Sequence, residues 1–308
     1  MAIVKPDTLD FSQKSFCMVL SGQPGLGKTT LALSAPDPLL FDLDNGIARV
    51  RAEHRRLTTI DDTYNDLLAD MQTTEYRDCK SVIIDTGGSL VQLMQPWAKT
   101  QDAKAARDGR AMYGVIKREF DRLTAQIRQD KKNCIIVFHT TETQKGDVTV
   151  TRLSCEGSSK DIVWTPADLG AHMFMLGQKR VIGFSPTEEY FAKSCYGISG
   201  IREVPTLKPG DKNDFLTRLF DEARANIAKD METFAPQRAA YDNAMELGRA
   251  YIADVDNADK LNIALDLISN LEHGLTSKKE LGALLNAKAK ELGFKFSKEA
   301  GGYVQNNA

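Results

Sequence analysis

The apolar positions of the chain follow two rhythms. Short apolar runs at Phe16–Leu20, Leu39–Leu43, Val82–Asp85 and Cys134–His139 alternate with stretches of helical spacing. One such stretch carries Tyr64, Leu67, Leu68 and Met71, and another Ile116, Phe120, Leu123 and Ile127. Apolar strands separated by amphipathic helices predict a parallel sheet covered on both faces. After His139 the texture changes. "DVTVTRL" alternates as a half-exposed strand does, and "AHMFML", "KRVIGFS" and "EYFAKS" follow too closely for crossover helices. That spacing predicts antiparallel hairpins, and so an α/β fold with a mixed sheet.

From about Asp214 the pattern is helical. Leu261, Leu265 and Ile268 mark one helix. Ser277-Lys-Lys-Glu280 reads as a capping box, with Leu281, Leu284 and Leu285 on one face and Gly293 as the stop. The expected organisation is a core over residues 1–205, a linker over 206–214 ("TLKPGDKND") and a helical module over 215–308. Residues 211–308 hold 13 Lys and Arg against 16 Asp and Glu, so the module is no basic nucleic-acid arm. A packing or protein-partner role is expected of it.

The bulk numbers narrow the classes. A net charge of −2 over 308 residues gives no global field for nucleic acid, so any such site must be local. The five cysteines never form C-x-x-C, and core thiols of a cytosolic protein are expected rather than disulfides or a zinc site. "MAIVKPDTLD" lacks a signal pattern, and no apolar run reaches the roughly 20 residues of a membrane span.

The strongest chemical signal is "GQPGLGKTT": Gly22, Gln23, Pro24, Gly25, Leu26, Gly27, Lys28, Thr29 and Thr30. It fits the phosphate-binding loop G-x-x-x-x-G-K-[ST], after an apolar strand and before a helical run. Glycines let successive N–H groups turn inward, and the helix start adds partial positive charge. This predicts ATP with Mg²⁺, Lys28 on the β- and γ-phosphates and the Thr29 hydroxyl on the metal. Asp85, ending the strand of "VIIDTG", is the second expected metal ligand, with a helix N-cap as its alternative role. No glutamate follows it, since Thr86 does. The acid that activates water must then come from elsewhere. "LLFDLDNG" supplies Asp42 and Asp44, and Asp44 is either that base or simply part of an Asp-Asn-Gly turn.

The order "GQPGLGKTT", "LLFDLDNG", "VIIDTG", "CIIVFHT" resembles RecA-like ATPases over about residues 14–205, and more narrowly the phage-encoded kind related to single-strand annealing and recombination. The resemblance implies a RecA-like core, Asp44 in place of the catalytic glutamate, Asp85 as the magnesium aspartate and His139 as the sensor of the γ-phosphate. It also implies single-stranded DNA as a partner and self-association into a ring or filament. Aspartate is one methylene shorter than glutamate, which implies slow turnover. The segment leaving His139 would meet DNA, with Lys145, Arg152 and Lys160 on phosphates. It carries no aromatic residue for base stacking. By analogy with ring and filament ATPases, Arg180 or Lys193 would complete a neighbouring subunit's site. Residues 98–132 hold ten Lys and Arg against five Asp and Glu. A mobile loop is expected for their first half and a solvated amphipathic helix for the second. Two other readings stay open: a P-loop nucleotide or small-molecule kinase, and a non-hydrolysing ATP-dependent switch or loader.

Overall fold

A computed structural model describes residues 11–146, 148–155, 163–298 and 300–306. The chain divides into two compact units, with the boundary at Asn226/Ile227.

In the first unit the apolar runs become buried strands: β1 (Cys17–Gly22), β2 (Pro38–Asp42), β3 (Leu57–Thr59), β4 (Ser81–Asp85) and β5 (Asn133–Lys145). The late strands are β6 (Val148–Leu153), β7 (Leu169–Leu176), β8 (Lys179–Gly183) and β9 (Ile201–Glu203). The nine strands run β3-β2-β4-β5-β1-β7-β8-β9, with β6 beside β5. Pairing is parallel from β3 across to β7. It is antiparallel for β5–β6, β7–β8 and β8–β9. This is the mixed sheet that the spacing predicts. "EYFAKS" departs from expectation: it forms no strand, only a bridge between Lys193 and Gly170.

The helices are α1 (Lys28–Ala32), α2 (Tyr64–Asp70), α3 (Thr74–Asp78), α4 (Gly87–Gln101) and α5 (Gly109–Gln129). One sheet face contributes Cys17, Val19, Phe41, Val82, Ile84, Ile136 and Phe138 to a core closed by Leu90, Met94, Ile116, Phe120 and Leu123 of α4 and α5. Strand alternation sends Leu20, Leu40, Ile83 and Ile135 to the opposite face, where they are also buried. Of the loop expected over the first half of residues 98–132, residues 102–108 are irregular and join α4 to α5, while Ala98, Ala105 and Met112 anchor the stretch in that core.

Helix α6 spans Phe215–Ala253, and the division between the two units falls at Asn226/Ile227, downstream of the 206–214 segment expected as the linker. Leu216, Leu219, Phe220 and Ala223 are buried within the first unit, and Phe220 stacks on Phe16 at 5.3 Å. The Ser34 hydroxyl accepts the Leu216 amide at 2.9 Å. Segment 206–214 is irregular but tied down, since the Asn213 side chain donates to the Thr30 carbonyl at 2.7 Å.

The second unit holds the rest of α6, α7 (Ala258–Ser269), α8 (Ser277–Glu291) and a hairpin, β10 (Phe294–Ser297) with β11 (Gly302–Gln305). Leu261, Ala264, Ile268, Leu281, Leu285 and Tyr303 form its core. The capping box does not form. Thr276 stands at the N-cap, and Ser277 is buried against His273 Nδ1 at 3.0 Å. Gly293 does stop α8, at φ +79°. No helix among the described residues is long and apolar enough to cross a membrane.

Candidate functional site

Parallel strands bring their carboxyl ends to one edge, and the predicted chemistry converges there. Between β1 and α1 the loop turns on Gly25 and Gly27, at φ +84° and +90°, values that side-chain-bearing residues rarely adopt. Lys28 leaves the loop and folds back over it. Its Nζ donates to the Gln23 carbonyl at 2.8 Å and lies 3.2 Å from His139 Nδ1. Burial lowers the Lys28 pKa to about 8, against the upward pull of Asp85 and Asp44. A buried lysine held by a carbonyl and a ring nitrogen suits an anion better than it suits its present partners.

Thr29 Oγ1 donates to Asp85 Oδ2 at 2.5 Å. Asp85 is buried, which raises its pKa, as do Asp44 and Asp42, against the downward pull of Thr29 and Lys28. The N-cap of α4 is Thr86, whose side chain accepts from the Ser89 amide, so Asp85 is free of capping. Among the described residues no group of three or more His, Cys, Asp or Glu could hold a metal by itself. One carboxylate and one hydroxyl fit Mg²⁺, which keeps waters and takes its other ligands from substrate phosphates. Thr29 and Asp85 would hold that ion, which would neutralise charge building on the phosphates.

The two acids at the end of β2 are held differently. Asp42 is 1 % exposed and accepts the Gly46 and Ile47 amides at 2.6 and 2.8 Å. It is the turn residue. Asp44 lies beyond the strand, takes a hydrogen bond from Ser89 Oγ, and sits 3.4 Å from His139 Nε2. Lys28, His139 and Asp44 thus form a line. A protonated Lys28 makes His139 Nδ1 the acceptor, which leaves the ring proton on Nε2, towards Asp44. His139 does not end β5. It is the last position paired with β1, after which β5 continues into the hairpin with β6.

Other expected residues land differently. Arg180 lies beside its own P-loop: a Cβ on Gly27 would come within 2.9 Å of its guanidinium, which donates to the Pro205 carbonyl at 3.3 Å. Lys193 donates to the Ala167 carbonyl instead of projecting outward. Within its own chain Arg180 is thus held beside the P-loop near the start of β8, and Lys193 on a segment bridged to Gly170 of β7. Arg152 is on β6, whereas Lys160 and the side chain of Lys145 lie outside the described residues.

Sequence reading missed two features. Glu142 on β5 accepts from Gln23 Nε2, so another acid stands at the loop's mouth. A cleft of about 210 Å³ adjoins Gly27 and Thr30, lined also by Arg49, Arg180, Pro205 and Leu207. Its lining residues come from segments far apart in the chain, so no local pattern announces it.

No curated protein matches the sequence. A KaiC-like protein from the hyperthermophilic archaeon Pyrococcus horikoshii OT3 is similar in structure at 14% identity and a TM-score of 0.37, over 62% of this chain and 90% of that one. The model of a family described as an AAA domain matches residues 14–196, which span the P-loop, Asp44, Asp85 and His139. The chain belongs to that AAA domain family of P-loop ATPases.

Proposed function

We propose that the protein hydrolyses ATP with Mg²⁺, with Asp44 as the base, and that it acts as a RecA-like ATPase on single-stranded DNA in recombination, annealing or replication. The observation that carries the hydrolytic part is the division of labour after β2. Asp42 holds the turn, which leaves the Asp44 carboxylate facing His139 at the end of Lys28. A bound γ-phosphate recruits Lys28 and so removes its bond to His139. The imidazole is then free to follow the phosphate, and Asp44 to accept a proton from water. The hairpin leaving His139 supports the single-strand part, since it places Arg152 opposite Thr141, two residues beyond His139. Assembly into a ring or filament and a protein partner for the second unit belong to the same reading.

The test is ATP turnover measured with and without single-stranded DNA, beside the mass of the assembled species. We expect stimulation by the strand and none in Lys28→Ala. Tight ATP binding without turnover under either condition would replace this reading with the switch. Phosphate transfer to a nucleotide, unaffected by DNA, would replace it with the kinase.

A further inference from the structure

A second cavity, of about 520 Å³, opens on the far side of the strands that carry the P-loop. Side chains alternate along a strand, so His139 and Thr140 face opposite ways. His139 turns to Lys28, while Thr140 lines this cavity with Ser21 of β1. Its walls are aromatic. Trp164 and Phe191 lie 6.2 Å apart, and Tyr190 stacks on His172 at 4.6 Å. The Trp164 ring rests where a Cβ on Gly170 would come within 2.3 Å of it, so that strand position is cleared for the ring.

Two observations point to a ligand. Thr140 lines the cavity, and its Oγ1 is buried with no hydrogen-bond partner among the described residues. An unpaired buried hydroxyl is unfavourable unless something enters to meet it. At the mouth, Phe191 is 56% exposed with the Arg152 guanidinium 5.1 Å over its ring. An exposed aromatic face beside a cation stacks a flat ring and attracts an attached anion. No carboxylate is among the described lining residues.

We infer that this cavity takes one nucleobase, with its phosphate towards Arg152, at a site separate from the P-loop. The base can belong to a free nucleotide or to a strand; the strand-borne form rests on the single-strand reading above, and the free form does not. The site communicates with the γ-phosphate position through short links. Ser21 precedes Gly22, Thr140 follows His139, and the Ser154 amide at the end of the hairpin donates to the His139 carbonyl at 2.8 Å.

The experiment saturates the full-length protein with Mg²⁺ and the β,γ-imido analogue of ATP. It then compares a short oligothymidylate, an abasic oligomer of the same length, and thymidine monophosphate. Binding is read by anisotropy and by Trp164 fluorescence, taken as the difference from Trp164→Phe. We expect the base-bearing oligomer to bind about tenfold tighter than the abasic one and to quench Trp164. Phe191→Ala should remove that preference without changing the melting temperature, and Thr140→Val should narrow it. Equal binding of both oligomers, with no quenching by the mononucleotide, overturns the base site while strand binding stands. Quenching by the mononucleotide with no oligomer binding supports the site and defeats the single-strand reading. Neither signal overturns the site and leaves no strand binding.

Discussion

Neighbouring residues of β1 and β5 serve two environments that differ in charge. On one side Gly22 and His139 adjoin Lys28, Asp44 and Asp85, where burial lowers the Lys28 pKa and raises that of Asp85. On the other, Ser21 and Thr140 meet rings, and His172 is lowered to about 4 by burial, with a smaller effect from Lys28. That histidine is neutral at physiological pH. Only the first gathers cation and carboxylates together, as a polyphosphate and its metal ion require. The second is walled by rings and neutral polar groups, with Arg152 and Lys193 as its cations and no carboxylate among the described lining residues. Burial alone therefore identifies neither site; the kind of group left unsatisfied does.

The comparison can be broken most sharply at Asp44. Asp44→Asn should lower kcat by about 10²–10⁴-fold while ATP affinity is retained, read from steady-state turnover beside equilibrium binding. Wild-type turnover in that variant would move the base elsewhere, with Glu142 the first residue to examine. Asp42 is the control for a structural acid. Asp42→Ala leaves the Gly46 and Ile47 amides without their acceptor and should cost about 2 kcal/mol of stability by chemical denaturation.

The pH dependence of ATP binding sharpens the charged side. Lys28 is lowered to about 8 when no phosphate is present, and a bound triphosphate raises it. Binding then takes up a proton above pH 8, so affinity falls as pH rises, by up to about tenfold over the next one to two units. Calorimetry in buffers of different ionisation enthalpy would detect the uptake, and its absence would mean that Lys28 is already fully charged. The smallest effect belongs to the neutral side. Thr140→Val removes the unpaired hydroxyl and should leave ligand-free stability unchanged or raised by about 1 kcal/mol.

Much of the first side was legible in the chain. The P-loop and Asp85 follow from local pattern because strand, turn and helix are contiguous there. Sequence named Asp44 as the candidate base but left open that it only formed the Asp-Asn-Gly turn. In the fold the Gly46 and Ile47 amides close on Asp42 instead. The absence of aromatics in residues 140–161 argued against base stacking. In the fold, Phe191 meets Arg152 from outside that segment, and Trp164 and Tyr190 line the same cavity.

The sequence by itself determined the alternation of apolar strands and amphipathic helices, the phosphate loop, and the acid at the end of β4. These are features of short range, set by side-chain periodicity and by glycine at positive φ. Only the tertiary structure decided which acid faces His139, where Arg180 and Lys193 point, and that α6 begins inside the first unit. It alone assembled the aromatic cavity behind the P-loop. Each of those depends on which strands pair across the sheet, and pairing between residues far apart in the chain leaves no mark in local spacing.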